Sequence, residues 1–108
     1  MCLEVDDGPT STLLQVTAPV GLKAIYLTLG NFVLELLHFD REGNDPERRR
    51  SFTEPGLTHL SFNVADLAAT RAAVVEHGGS VLDETELSGV AVLIRDPDGQ
   101  LLELIQAR

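Results

Sequence analysis

Two carboxylates stand in nearly the same frame of this chain. Gly30 to Phe39 reads GNFVLELLHF, with Glu35 inside an almost unbroken apolar run, and Asp98 to Gln106 reads DGQLLELIQ, with Glu103 in a similar setting. Both acids are written Leu-Glu-Leu after a Gly-led turn. An isolated carboxylate among apolar neighbours is costly unless a cation, hydrogen-bond donors or a proton accompanies it. His59, in LTHLSF, adds an imidazole. The three side chains form a mixed nitrogen and oxygen donor set, suited to Zn, Mn, Fe, Co or Ni rather than to a soft thiolate site. A divalent ion held by Glu35, His59 and Glu103 would account for the acids, and an open coordination position would take substrate oxygens. Taken singly, Glu35 fits an exposed acid on a half-solvated strand equally well, and a lone strand histidine such as His59 is more often structural.

The elements that must position these groups follow from the hydropathy pattern. LKAIYLTL, Leu22 to Leu29, predicts a strand, Gly30-Asn31 a tight turn and FVLELLHF its hairpin partner. DREGNDPERRRSFTEP, residues 40–55, is a polar linker rich in charge and turn residues. LTHLSFNV is then a strand, and Asp66 is placed to cap the helix LAATRAAVVEH, which Gly78-Gly79 stops. SVLDETEL and GVAVLIR are two further strands. DPDG has the Pro and Gly placement of a type I turn and leads into QLLELIQ. Before Leu22 the signal is weaker: CLEV can be a short strand, DDGPTS is a turn cluster, and TLLQVTAPVG has no clear period.

The second half therefore reads β-α-β-β-β, and its last hairpin matches the hairpin at residues 22–39 as an internal repeat. Glu103 stands 68 positions after Glu35. The same offset carries His59 to a position ahead of Met1, so the first module is expected to lack its opening strand and helix. Strand alternation puts Val33, Glu35, Leu37 and Phe39 on one face, and Leu101, Glu103 and Ile105 on one face. Leu57, His59, Ser61 and Asn63 share the polar face of their strand. A sheet that covers one face with a helix and turns the other toward a cavity has this pattern.

Composition bounds the function class. The chain has 108 residues, which suits a single domain, and its 44% hydrophobic and 23% charged content is that of a globular protein. With 8 basic against 17 acidic residues the formal charge is -9, which argues against a nucleic-acid partner. Cys2 is the only cysteine, so no intrachain disulfide forms and a reducing, cytoplasmic setting is the simpler expectation. No signal pattern opens the chain, and no apolar run approaches the about 20 residues of a membrane span.

The stretch GLTHLSFNVADLAATRAAVVEHGGSVLDE…GVAVLIRDPDGQLLELIQ resembles the second βαβββ module of the vicinal oxygen chelate superfamily, which includes glyoxalase I, methylmalonyl-CoA epimerase, extradiol dioxygenases, and fosfomycin- and bleomycin-resistance proteins. GLKAIYLTLGNFVLELLHF resembles the end of a first module, nearest the glyoxalase and epimerase branches. The resemblance implies an α+β fold of paired βαβββ modules forming a curved mixed sheet. Residues 1–39 would be the incomplete first module, 40–55 the linker and 56–108 the complete second module. It implies that His59 matches the metal-ligand histidine, Glu103 the ligand on the last strand and Glu35 the same position in the first module. The family's fourth ligand has no match here, which leaves three alternatives: a truncated or start-site form, a site of three ligands, or a missing layer supplied by a second subunit, since members often pair modules across a homodimer. The implied activity is that of a metal-dependent lyase, isomerase or epimerase. It would act on a small α-hydroxy or α-oxo substrate through an enediolate-like intermediate, with Glu103 or Glu35 as proton carrier. The alternative is a metal-free small-molecule binding or resistance protein of the same fold.

Other chemistry-bearing residues carry less. ERRR, Glu47 to Arg50, could bind an anionic substrate tail, although a charge run in a polar linker is more often a solvated face. His38 has the opposite strand parity to Glu35 and is expected outside its site. His77 suits the helix C-terminus. Cys2 has no acid-base partner that would make it a nucleophile.

Overall fold

The computed structural model describes residues 1–41 and 50–108 and divides into two compact units, Met1–Asp45 and Pro46–Arg108. The linker residues 42–49, with Glu47, Arg48 and Arg49 of the ERRR run, lie outside the described residues. Each module builds its own sheet.

The first unit contains β1 (Cys2–Glu4), α1 (Asp7–Leu14), β2 (Leu22–Leu29) and β3 (Phe32–Phe39). Its three strands run antiparallel in the order β1-β2-β3. The β2-β3 turn is the expected one. Gly30 has φ +60° and Asn31 does not leave the ordinary region, which suits a two-residue turn with glycine at its first central position. That turn sets the register Leu29 to Phe32 and, counting back, Tyr26 to Glu35.

The DDGPTS turn expected before Leu22 is instead the start of α1. The same residue types that favour turns also favour helix N-termini, because short polar side chains compete for backbone N–H groups in both settings. Pro9 lies in the first helical turn, where its missing N–H costs nothing. The Asp7 carboxylate accepts from the backbone N–H of Val20 and Gly21 at 2.9 and 3.0 Å, tying the helix to the entry of β2.

The second unit contains β4 (Leu60–Val64), α2 (Leu67–Glu76), β5 (Ser80–Leu87), β6 (Ala91–Arg95) and β7 (Leu101–Gln106), in the sheet order β4-β7-β6-β5. The opening strand β4 runs parallel to the closing strand β7, and the other pairs are antiparallel. Asp66 caps α2 by accepting from the Ala69 N–H at 2.9 Å. The DPDG turn forms as expected: Gly99 N donates to Asp96 O at 2.9 Å, and Asp96 Oδ1 accepts from Asp98 N and Gln100 N. Val92, Ile94 and Leu104 are buried under Leu67 of α2, with Val92 only 1% exposed. Their burial against the helix is the main source of stability in this unit.

In the second unit β7 is flanked by β4, and the pairs Val92–Leu104 and Ile94–Leu102 lie on the helix-covered face. In the first unit the matching pairs are Ile25–Leu36 and Leu27–Leu34. No described strand flanks the outer edge of β3, and Ile25, Leu27 and Leu36 are exposed. The short β1 does not fill the gap, because it pairs with β2 on the other side. Among the described residues, the first unit has no counterpart of the second unit's opening strand and helix. No helix of the described residues is long and apolar enough to cross a membrane.

Candidate metal centre

Glu103 stands on β7, opposite Ser61 of β4 and Leu93 of β6. Alternation along β7 turns Leu102 and Leu104 to the helix and Glu103 to the other face. There the carboxylate is half-buried, and the Ser61 hydroxyl donates to its Oε1 at 2.7 Å. One oxygen is thereby fixed while Oε2 keeps its acceptor capacity.

His59 immediately precedes β4, which begins at Leu60 rather than at Leu57. Its ring is half-buried and held from two sides. Nδ1 is 2.9 Å from the Thr58 hydroxyl, and Phe52 packs edge-on against it with ring centroids 5.1 Å apart. A hydroxyl partner on one ring nitrogen leaves the other, Nε2, as the donor atom for a metal, the arrangement that commonly orients ligating histidines.

Glu35 stands on β3 of the first unit, directly opposite Tyr26. The Tyr26 hydroxyl donates to Glu35 Oε1 at 2.8 Å. That hydrogen bond, then desolvation, then the carboxylate charge hold the Tyr26 hydroxyl above its ordinary pKa of 10.0. The expected apolar enclosure of this acid is absent: Glu35 is exposed, as are Val33 and Leu37 on its own face. Without the covering layer, apolar neighbours in sequence do not become a dry environment in space.

Both acids thus receive a hydroxyl from the residue paired with them on the adjacent strand, Tyr26 in one unit and Ser61 in the other. Neither hydroxyl was singled out from the sequence as an acid's partner. For Tyr26 the signal was present, since a two-residue turn at Gly30-Asn31 pairs it with Glu35 by counting. For Ser61 it required knowing that β4 and β7 are parallel neighbours.

Within the second unit, Glu103 is joined to Ser61, and His59 to Thr58 and Phe52. Among the described residues, no three His, Cys, Asp or Glu side chains gather closely enough to hold a metal ion. The chemistry of the donors fits a divalent cation all the same: a carboxylate with one oxygen held by a hydroxyl and an imidazole oriented through Nδ1 are donor types that such a cation takes. His38 pairs with Lys23 on the opposite face from Glu35, as its parity requires. His77 Nδ1 lies 2.8 Å from Ala73 O at the end of α2, a structural role.

The family described as the glyoxalase/bleomycin resistance protein/dioxygenase superfamily matches residues 5–104. A metallothiol transferase, FosB, of Shouchella clausii (strain KSM-K16) is 30% identical over 91 residues, which cover 79% of this chain. The match spans 58% of that relative's length. A glyoxalase family protein from Bacillus cereus has a similar fold, with a TM-score of 0.77 at 15% identity, covering 98% of this chain and 74% of that one. Another, from Enterococcus faecalis, has a TM-score of 0.56 at 29% identity, covering 80% of this chain and 68% of that one.

Proposed function

The chain belongs to the glyoxalase/bleomycin resistance protein/dioxygenase superfamily, and on that premise we propose that it is a divalent-metal-dependent lyase, isomerase or epimerase acting on a small α-hydroxy or α-oxo substrate. Glu35, His59 and Glu103 are its metal ligands. The observation that carries this reading is the half-buried Glu103 carboxylate held at Oε1 by Ser61. A bound divalent ion of the Zn, Ni, Mn, Co or Fe group supplies a Lewis acid to neighbouring substrate oxygens. The chain's own residues do the rest. Thr58 and Phe52 fix the His59 ring, so that Nε2 is the ligating atom. Ser61 fixes one oxygen of Glu103, so that Oε2 is the atom that would hold the ion and, on leaving it, take the substrate's α-proton. Glu35, with Tyr26 on its Oε1, offers the same device in the first module.

A second reading is favoured by the similarity to the metallothiol transferase. On it, the same donors serve a thiol transferase acting on a small molecule. The deciding experiment is elemental analysis of the purified chain beside Glu35→Gln and His59→Ala. Stoichiometric metal that both changes abolish supports the metal-dependent enzyme, and assays for proton exchange and thiol transfer then separate the two reactions. A chain that takes up no metal from any of the five ions is the small-molecule binder instead.

We also propose that the protein works as a homodimer. The support is the exposed apolar face of the first sheet, built from Ile25, Leu27, Phe32 and Leu36. The matching face of the second sheet is buried beneath a helix, and uncovered apolar sheet faces are characteristic of association surfaces.

A further inference from the structure

A cavity of about 170 Å³ lies within the second unit, beside His59. Its wall includes Arg50, Phe52, Thr58, Arg95, Gln100 and Leu101. In a chain with 17 acidic and 8 basic residues, two guanidinium groups and, among the described residues, no carboxylate line this space. Both arginines are anchored. Arg95, at the end of β6, donates from Nη1 to Gly99 O at 3.0 Å. Arg50 donates to Leu57 O at 2.7 Å and to Pro55 O at 2.6 Å. A guanidinium carries more N–H donors than Arg95 spends on that one carbonyl. Loop anchoring therefore pre-orients the charge without using up its capacity. The Arg50–Glu54 approach is exposed and long at 3.9 Å, too weak to neutralise the pocket.

Two residues of the cavity wall contact the candidate metal ligand. Thr58 lines it and holds His59 Nδ1, and Phe52 lines it and packs on the His59 ring. The Phe52 and Leu101 side chains supply an apolar wall, where a charge-assisted hydrogen bond is stronger than in water. We propose that this cavity binds the anionic end of the substrate, a carboxylate or a phosphoryl-type oxyanion, through Arg50 and Arg95. The substrate class is therefore a small acid rather than a neutral or cationic compound, against the expectation that net charge alone would give. This assignment of substrate class rests on the proposed function, but the anion site itself needs no metal.

The test is calorimetric titration of the metal-stripped full chain with inorganic phosphate and, separately, with acetate. One saturable site is expected, weakened about tenfold or more by Arg95→Gln and by Arg50→Gln. Tighter phosphate names a phosphoryl-type group, and tighter acetate names a carboxylate. Arg95 also anchors its loop, so thermal unfolding of each variant is recorded; if Arg95→Gln does not fold, the exposed Arg50→Gln carries the same expectation. Absence of a saturable site for both probes overturns the proposal, as does unchanged binding in a folded arginine variant. His59→Ala keeps the failures apart: loss of metal with phosphate binding retained upholds both readings. Anion binding in a chain that never takes metal upholds the subsite and sinks the metal-dependent function.

Discussion

Ser61 and Glu103 face each other in register across a parallel strand pair, with the hydroxyl 2.7 Å from the carboxylate. If Glu103 is a metal ligand, Ser61 is the group that aims it. Glu103→Gln should abolish metal uptake, since the amide cannot supply the anionic oxygen. Ser61→Ala should leave the ligand but loosen it, weakening metal affinity about 10- to 100-fold. Equilibrium dialysis with Zn and Ni measures both. Full affinity in Glu103→Gln would remove this residue from the site.

The Tyr26–Glu35 pair gives a spectroscopic prediction free of any metal. The chain has one tyrosine and no tryptophan, so its ultraviolet phenolate titration reports Tyr26 alone. The midpoint should lie above 10.0, because the hydrogen bond to Glu35, then desolvation, then charge all favour the protonated phenol. Glu35→Gln should bring it down toward that value. The sign for stability follows. A folded pKa above the unfolded one gives a contribution fully present below about pH 10. It is lost as pH rises through the folded value. A wild-type midpoint at or below the variant's would contradict the bond.

Much of this arrangement was legible in the sequence, and the parts that were not share a cause. Tyr26–Glu35 follows from turn length, because a two-residue hairpin leaves one register. The capped helix after Asp66 and the DPDG turn follow from local side-chain chemistry. Ser61–Glu103 joins residues on strands separated by a helix and two further strands, and no local rule reports a parallel neighbour. The exposure of Glu35 was hidden for the same reason: burial depends on what covers a sheet, and the strand's own pattern cannot state it. The helix at Asp7 was missed because Asp, Gly, Pro and Ser serve turn and helix start alike.

The repeat supplies an internal control on burial. Leu104 and Leu36 are equivalent positions, the first 4% exposed and the second 44%. Leu104→Ala should cost about 2–5 kcal/mol, the range for a core leucine. At high dilution Leu36→Ala should cost less than about 1 kcal/mol, as for surface changes. If two copies cover the first sheet, the wild type should sediment as a dimer, and Leu27→Glu should sediment as a monomer at the same concentration. A wild type monomeric at every concentration tested removes the homodimer.

Two glycines separate steric from conformational requirements. Gly79, after α2, sits where a Cβ would lie 2.7 Å from the Arg95 carbonyl oxygen and 2.8 Å from Val74 Cγ1. Its φ is ordinary, so the obstacle is space, and the obstructing oxygen is backbone that cannot rotate aside. Gly79→Ala should therefore push the end of β6 from α2 and cost about 1–3 kcal/mol, as overpacking does. Because Arg95 is the residue displaced, phosphate affinity should fall with it. Gly30 is the converse case, with φ +60° and nothing within 4 Å of a Cβ. Gly30→Ala should cost about 1–2 kcal/mol through backbone conformation alone, leaving phosphate affinity unchanged. Denaturant melts paired with the anion titration read both quantities. Equal effects of the two changes on phosphate binding would mean that Arg95 is not positioned through this contact.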